Sequence, residues 1–311
     1  MIIHTDISNL KIHKPIVTIG VFDGVHLGHL RVLDRLKEIA KEKGGESVIF
    51  TLWPHPRIVL NKDIESLRLL TNIEEKKELL SRSGVDHLIV CPFTKEFSQL
   101  EACDFIEEYL VNMVKVEHLV VGYNHQFGKD RKAGFDFLKE CARKYGFSIE
   151  KLDVRLVDND KVSSTKIREY LNSGSLDIAN KYLGYKYFIS GNVIEGNKIG
   201  RKIGFPTANI KIPEPYKQVP KDGVYAVSVN LNGDSFYGML NIGSRPTIEP
   251  TLRTKNIEVH ILNFNQKIYN QTITVSFHKR IRDEKRFNGL EELTQQLEID
   301  KKVINKYFGL L

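Results

Sequence analysis

The pattern of apolar residues changes character part-way along the chain, and that change limits the folds open to it. Up to about residue 183, short β-branched apolar runs alternate with segments of helical period. The run Ile16-Val17-Thr18-Ile19-Gly20-Val21-Phe22 suits a buried strand. Leu30, Leu33, Leu36 and Ile39-Ala40 then form one stripe of a helix from about Gly28 to Lys43, which Gly44-Gly45 ends. Further strand signals fall at 47–51, 87–90, 118–122 and 148–152, and helical ones at 73–82, 101–114 and 135–145. Repeated strand–helix units with short connections predict an α/β domain with a doubly wound parallel sheet. After residue 183, strand-like stretches dominate, at 187–194, 223–231, 235–241, 255–263 and 271–277. Asn232-Gly233 marks one of their turns, and one helix returns at about 289–307. Mostly β structure with a terminal helix predicts a small, closed antiparallel β-barrel. The boundary is expected near Gly184, giving domains 1–183 and 184–311.

Charge follows the same division. Residues 1–183 hold 27 Lys+Arg and 27 Asp+Glu, while 184–311 hold 19 and 12, so the formal +7 belongs to the second part alone. A positive balance favours phosphate-bearing partners but says nothing about fold. Cys91, Cys103 and Cys141 are scattered, without the spacing of a disulfide framework or a zinc site. No apolar run approaches the roughly 18 residues of a membrane span. The first residues carry no apolar signal-peptide core. The expectation is a cytoplasmic protein with no membrane partner.

Two segments of the first part point to phosphate. Gly20 to His29 leads from the first strong strand into the first long helix, where open α/β sheets bind ligands. A helix start offers free N–H groups and a positive dipole end. His26 and His29, three apart, share one helix face and can stabilise charge developing on a phosphate. Gly24 and Gly28 allow close backbone approach. Farther on, Ser163-Ser164-Thr165-Lys166-Ile167-Arg168 combines helix-capping hydroxyls with an arginine fork suited to phosphate oxygens.

These segments resemble known signatures. His26 to His29 resembles the HxGH motif of the nucleotidyltransferase superfamily. The longer Gly20–His29 stretch resembles that of the prokaryotic bifunctional riboflavin kinase/FAD synthetase family. Thr51-Leu52-Trp53-Pro54-His55-Pro56 resembles the family's TF-x-PHP segment, with Leu52 where Phe is usual. Val120 to Gly128 is similar to VVGxDFxFG, with Asn124 at the Asp/Asn position and His125 replacing Phe. Residues 163–168 match SSTxIR. The resemblance implies a Rossmann-like nucleotidyltransferase domain that joins FMN to the α-phosphorus of ATP and releases pyrophosphate. It implies His26 and His29 as catalytic residues. Asp23, Gly24, Gly28, Ser164, Thr165 and Arg168 are then expected on ATP. Asn124, Phe127, Pro54 and Pro56 are candidates for the flavin wall, with core packing the alternative for Phe127.

In the second part, Gly200-Arg201-Lys202-Ile203-Gly204-Phe205-Pro206-Thr207-Ala208-Asn209 is the densest signal. Its glycines suit a turn with accessible N–H groups, an anion nest. Thr207 and Asn209 offer the hard oxygen ligands that Mg²⁺ takes. It is not a Walker A loop, because no GK[ST] follows at the required spacing. Residues 256–262 alternate, with Glu258 and His260 on one face. The GFPTAN stretch resembles the riboflavin kinase fingerprint, as do Gly223-Val224-Tyr225-Ala226, the Asn241–Thr247 turn and the Ile281–Phe287 stretch. The resemblance implies Gly200 and Gly204 on ATP, Thr207 and Asn209 at the metal, and Glu258 as general base, with His260 the alternative. Arg282 and Phe287 are candidates for covering flavin or nucleotide, with packing the alternative for Phe287. Arg201, Lys202 and Arg245 fall in or beside the same site. The implied cofactor is Mg²⁺, and the implied partners are ATP, riboflavin and FMN.

Two rivals make different predictions. A single-activity transferase acting on pantetheine or nicotinate phosphate has no use for the GFPTAN barrel. A nucleic-acid-binding protein calls for basic residues interleaved with exposed aromatics, and no such aromatic pair is present. No nucleic-acid partner is therefore expected.

Overall fold

The computed structural model describes residues 1–60, 67–123, 134–153, 156–157, 160–196, 199–244 and 255–310. The chain divides into two compact units, Met1–Ser164 and Thr165–Leu311.

The first unit is built on a six-stranded parallel sheet. Its strands are β1 (Ile2–His4), β2 (Pro15–Ile19), β3 (Glu46–Trp53), β4 (His87–Pro92), β5 (His118–Val121) and β6 (Ser148–Lys151). Their spatial order is β1-β4-β3-β2-β5-β6. The chain builds outward from β2 in one direction, then returns to its other side with β5. That reversal opens a crevice at the carboxyl ends of β2 and β5, the place where such sheets take ligands. β2 is buried along its whole length, which explains its unbroken apolar character. Val17 and Ile19 join Phe50, Leu119, Phe105, Leu110 and Leu138 in one core cluster. The helix Leu27–Lys43 packs on β2, β3 and β5 and buries Leu33, Leu36, Ile39 and Ala40. Gly44 stops it in the left-handed conformation (φ 59°), as expected for a helix-ending glycine. A short hairpin of β7 (Leu156–Val157) and β8 (Asp160–Lys161) follows the sheet.

The helix Ser164–Ser173 starts at the division, and the helix Leu176–Leu183 follows it in the second unit. Six antiparallel strands then close into a barrel: β9 (Phe188–Ile194), β10 (Ala208–Lys211), β11 (Gly223–Leu231), β12 (Asp234–Ser244), β13 (Lys255–Ile261) and β14 (Thr272–Arg282). Neighbours run β10-β13-β12-β11-β14-β9, and β9 pairs back with β10. Closure leaves no open sheet edge. The β11–β12 hairpin turns at Asn232 and Gly233, whose φ angles of 53° and 95° suit the primed turn its sequence predicts. The helix Leu290–Phe308 packs on β12 and β14, placing Ile304 beside Phe205, Val224, Ala226 and Met239.

The sequence pattern and the described architecture differ in three places. The strand expected through Phe22 ends at Ile19, because the backbone turns at Phe22 with φ 50°. The helix expected over 101–114 starts as an α-helix at Ala102–Phe105 and continues as a wider π-helix at Ile106–Met113. The compact units part at Ser164, upstream of the change in pattern near Gly184. The reason lies in Asn180. Its Nδ2 donates to the Phe277 carbonyl (3.0 Å) and its Oδ1 accepts from the Tyr187 N–H (2.7 Å), which ties the helix Leu176–Leu183 to the barrel.

Leu33 is fully buried on the helix that carries the histidine turn. Leu33→Ala is expected to cost about 2–5 kcal/mol, the transfer and cavity loss of a core leucine. Chemical denaturation of the intact chain checks it.

Candidate active sites

The first site lies where β2 hands over to the helix Leu27–Lys43. Between them the backbone enters left-handed space three times, at Phe22 (φ 50°), Gly24 (φ 80°) and Val25 (φ 36°). Such conformations cost about 1–3 kcal/mol each for residues with a Cβ, so the surroundings must hold them. Phe22 and Val25 are both buried. Asp23, between them, accepts hydrogen bonds at Oδ1 from the Leu70 and Thr71 N–H groups (2.8 and 3.1 Å). Thr71 Oγ1 accepts from the Gly24 N–H at 3.2 Å. Gly24 is required sterically as well, since a Cβ there would lie 2.6 Å from Leu70 Cδ1. Ser164 Oγ donates to the Asp23 carbonyl at 2.9 Å. Asp23 and Ser164, expected on ATP, thus take part in building the turn.

The turn presents two stacked imidazoles. His26 caps the helix, accepting from the His29 N–H at Nδ1 (3.3 Å). The two rings lie 3.6 Å apart at 13°, and the Phe22 ring meets His29 edge-on at 5.1 Å. Gly28 sits against the His26 ring, 3.1 Å from where its own Cβ would be. Burial first, then the His26 and Lys76 charges, hold His29 well below the usual histidine range, so it is neutral at neutral pH. His29 Nδ1 is buried and has no hydrogen-bond partner among the described residues. A buried ring nitrogen without a partner is costly in a closed core and useful at a ligand site.

At the end of β3, Trp53 precedes Pro54 through a cis peptide bond. Pro54 is exposed and Pro56 half-buried, and the His55 ring accepts from the Arg57 N–H at 3.1 Å. Asn124, His125 and Phe127 lie outside the described residues, as does Arg245. Thr165 and Arg168 belong to the second unit, where Arg168 Nη2 donates to Thr165 Oγ1 at 3.4 Å.

The second site forms on the barrel. Glu258 on β13 stands directly opposite Asn209 on β10 and Asn241 on β12, so the three side chains share one barrel face. Thr207 Oγ1 donates to Glu258 Oε2 at 3.0 Å, and Asn256 Nδ2 donates to Oε1 at 2.6 Å. Thr207 is exposed, and Asn209 is buried against Gly196. Gly200 is fixed by close approach: a Cβ there would lie 2.1 Å from the Phe205 carbonyl oxygen, which leaves Gly200 room only for hydrogen. Gly204 turns with φ 81° in open space. His260 is buried, with Nδ1 donating to the Pro206 carbonyl at 2.8 Å. Burial lowers its pKa, and the Pro206 bond opposes that. Its ring is committed to the loop, while the Glu258 carboxylate of that face is held by Thr207 and Asn256.

Arg282 is occupied. Its Nε meets both Asp300 oxygens at 3.0 Å, Nη2 meets Oδ2 at 2.7 Å, and Nη1 donates to the Asp283 carbonyl at 2.9 Å. This fork joins the barrel to the helix Leu290–Phe308.

Two family models cover the two parts of the chain: FAD synthetase matches residues 9–166 and riboflavin kinase matches 183–308. The bifunctional riboflavin kinase/FMN adenylyltransferase of Bacillus subtilis is 40% identical over 301 residues, covering 96% of this chain and 94% of its own length. That of Listeria monocytogenes is 38% identical over 315 residues, covering 98% and 99%. The chain belongs to the bifunctional riboflavin kinase/FMN adenylyltransferase family. A crystal structure from Streptococcus pneumoniae, called a macrolide-efflux protein, matches with a TM-score of 0.87 and 30% identity over 98% of each chain. Among the described residues of this chain, no helix is long and apolar enough to cross a membrane.

Two residues beside these sites belong to no motif. Lys76 lies next to the histidine turn and is 1% exposed. Its signal is positional: it shares the buried face of the helix Ile73–Ser81 with Leu79 and Leu80, where a lysine is out of place. Tyr269 lines a cleft with Thr207, Asn209, Arg201 and Gly196, and nothing in its local sequence singles it out.

Asp300 is 2% exposed and its carboxylate is met by the Arg282 fork. Asp300→Ala leaves that guanidinium without its partner and is expected to cost about 3–5 kcal/mol. Thermal and denaturant unfolding measure it.

Proposed function

We propose that FMN adenylylation takes place at the His26–His29 turn, within residues 1–183, and riboflavin phosphorylation at the Thr207–Glu258 face, within residues 184–311. The observation that carries the first assignment is the stacked pair at a helix N-terminus, with the His29 Nδ1 buried and unpartnered among the described residues. An oxygen of the FMN phosphate attacks the α-phosphorus of ATP, the α–β bridging oxygen leaves with pyrophosphate, and FAD forms. No protein nucleophile is needed; orientation and stabilisation of the developing charge suffice. The neutral His29 ring offers an N–H donor to a phosphate oxygen. An anion arriving there favours the protonated ring and strengthens that bond. Backbone N–H groups at the helix start complete the cradle, with Gly24 and Gly28 shaping the turn that presents them. Thr165 and Arg168 are assigned to the ATP phosphates, and Pro54, Pro56, Asn124 and Phe127 to the flavin side.

In the barrel, Glu258 takes the proton of the ribityl 5′-hydroxyl as that oxygen attacks the γ-phosphorus, and ADP leaves. The Thr207 hydroxyl, 3.0 Å from the carboxylate, holds Glu258 in place. The oxygen donors Thr207 and Asn209 on one side of the barrel fit Mg²⁺, which favours a few protein oxygens plus substrate phosphates. When bound, the ion supplies neutralisation of phosphate charge. Gly200 and Gly204 are assigned to the nucleotide side. Arg282 is assigned to the flavin side, with its guanidinium held by Asp300 on the helix Leu290–Phe308. The substrates ATP, riboflavin and FMN and a cytoplasmic setting agree with this reading.

Full-length protein with riboflavin, ATP and Mg²⁺ is expected to yield FMN and FAD, resolved by chromatography. His29→Ala is expected to reduce FAD formation about 10²–10³-fold while FMN accumulates. Glu258→Ala is expected to reduce FMN formation about 10²–10⁴-fold while supplied FMN still becomes FAD. If either substitution removes both activities in a folded protein, the two-site assignment is wrong.

A further inference from the structure

A buried cation, Lys76, stands beside the first site with no ion pair within 4 Å among the described residues. Lys76 lies on the helix Ile73–Ser81, whose start is fixed by Asn72 and Glu75: Asn72 Oδ1 accepts from the Glu75 N–H (2.8 Å) and Glu75 Oε2 from the Asn72 N–H (3.0 Å). That double cap sets the rotation of the helix and turns Lys76 inward with Leu79 and Leu80. The Lys76 Nζ sits over the Trp53 ring, 5.2 Å from its centroid, at the carboxyl end of β3. Among the described residues it forms no ion pair within 4 Å and donates no hydrogen bond. The charged and titratable groups that face it are Asp23, in the turn after β2, and His29, on the helix Leu27–Lys43, which also carries His26. Asp23 has its Oδ1 already taken up by the Leu70 and Thr71 N–H groups.

A lysine held this way costs stability. Burial lowers its pKa to about 8, and Asp23 only partly offsets the loss of water. In the unfolded chain the group keeps its proton to its ordinary value, near 10.4. The folded state therefore binds the proton less well, and the charged form destabilises the fold at neutral pH. A neutral residue of similar length would fill the same space over Trp53 at lower cost. The site accepts an unfavourable charge where the assigned chemistry gathers phosphate oxygens.

We propose that Lys76 is an electrostatic positioning residue of the adenylyltransferase site, a fixed buried cation whose field acts on His29 and on the phosphates bound at the histidine turn. This rests on the assignment of adenylyl transfer to that turn. Lys76 acts without touching substrate. Its charge disfavours a proton on the free His29 ring and adds positive potential where negative charge develops. Because the field is preorganised, it requires no rearrangement during reaction.

The test compares Lys76→Met, which removes the charge, with Lys76→Arg, which keeps it and resists deprotonation. kcat/KM for FAD formation from FMN is measured from pH 6.5 to 9.5, and the His29 imidazole is titrated by NMR in the full-length protein. In the wild type, kcat/KM is expected to fall above about pH 8 as the free-enzyme cation is lost. Lys76→Met is expected to be about tenfold or more slower at pH 7, without the alkaline fall, with its Tm unchanged or raised and the His29 titration moved upward. Lys76→Arg is expected to restore activity at pH 7 and carry it past pH 9. The proposal is overturned if Lys76→Met keeps the wild-type alkaline fall, if the His29 midpoint stays in place, or if activity is lost only along with Tm. His29→Ala separates the underlying assignment: full FAD formation in that variant places the chemistry elsewhere, whatever Lys76 does.

Discussion

The backbone after β2 must cross left-handed space at Phe22, Gly24 and Val25 before the helix Leu27–Lys43 can begin. Two of those residues carry bulky side chains, and one is β-branched, so the path is unfavourable by itself. It is held because Phe22 and Val25 are buried and because the Asp23 carboxylate ties the turn to the Leu70–Thr71 backbone. Everything at the first site follows from this constraint. The turn aims the helix N-terminus at the crevice of the sheet, makes His26 the cap and stacks His29 on it. The same carboxylate faces Lys76, so the group that shapes the turn also sets the field beside it.

The barrel reaches a phosphate-handling site by different means. No long helix aims at it. Strand register instead places Asn209, Glu258 and Asn241 side by side, and the Gly200 turn delivers Thr207 to the carboxylate. Closure of six antiparallel strands fixes that register, because a slip by one residue would turn Glu258 to the other face. The Arg282–Asp300 fork then secures the helix Leu290–Phe308 against the closed barrel. Residues 1–183 carry equal numbers of acidic and basic residues, and their site relies on helix ends and imidazoles. Residues 184–311 carry the excess of positive charge. Net charge is thus an incomplete guide to where phosphate binds.

Much of this was legible in the sequence, for identifiable reasons. Gly44, the Asn232-Gly233 turn and the alternation of Ile257, Val259 and Ile261 are local signals, and the structure uses them locally. Other features depend on distant residues. β1 is three residues long and exists because Ile2, Ile3 and His4 pair with His87, Leu88 and Ile89. The helix Leu176–Leu183 joins the barrel through Asn180, whose partners lie on Tyr187 and Phe277. Asp23 reads as a ligand contact in a motif, yet its Oδ1 binds backbone 47 residues away. The Arg282 fork meets Asp300 on another element, a pairing that no local signal announces. Lys76 looks ordinary in an amphipathic helix until its face is known to be buried.

One chain is proposed to direct attack on two different phosphorus atoms of ATP at two separate sites. Position-specific labelling tests this most directly. The full-length protein is given riboflavin, with ATP labelled at the γ-phosphorus in one reaction and at the α-phosphorus in another. γ-Label is expected in FMN and in FAD, and α-label in FAD alone. Label from the α-phosphorus in FMN, or FAD made from riboflavin without the γ-label, would contradict it.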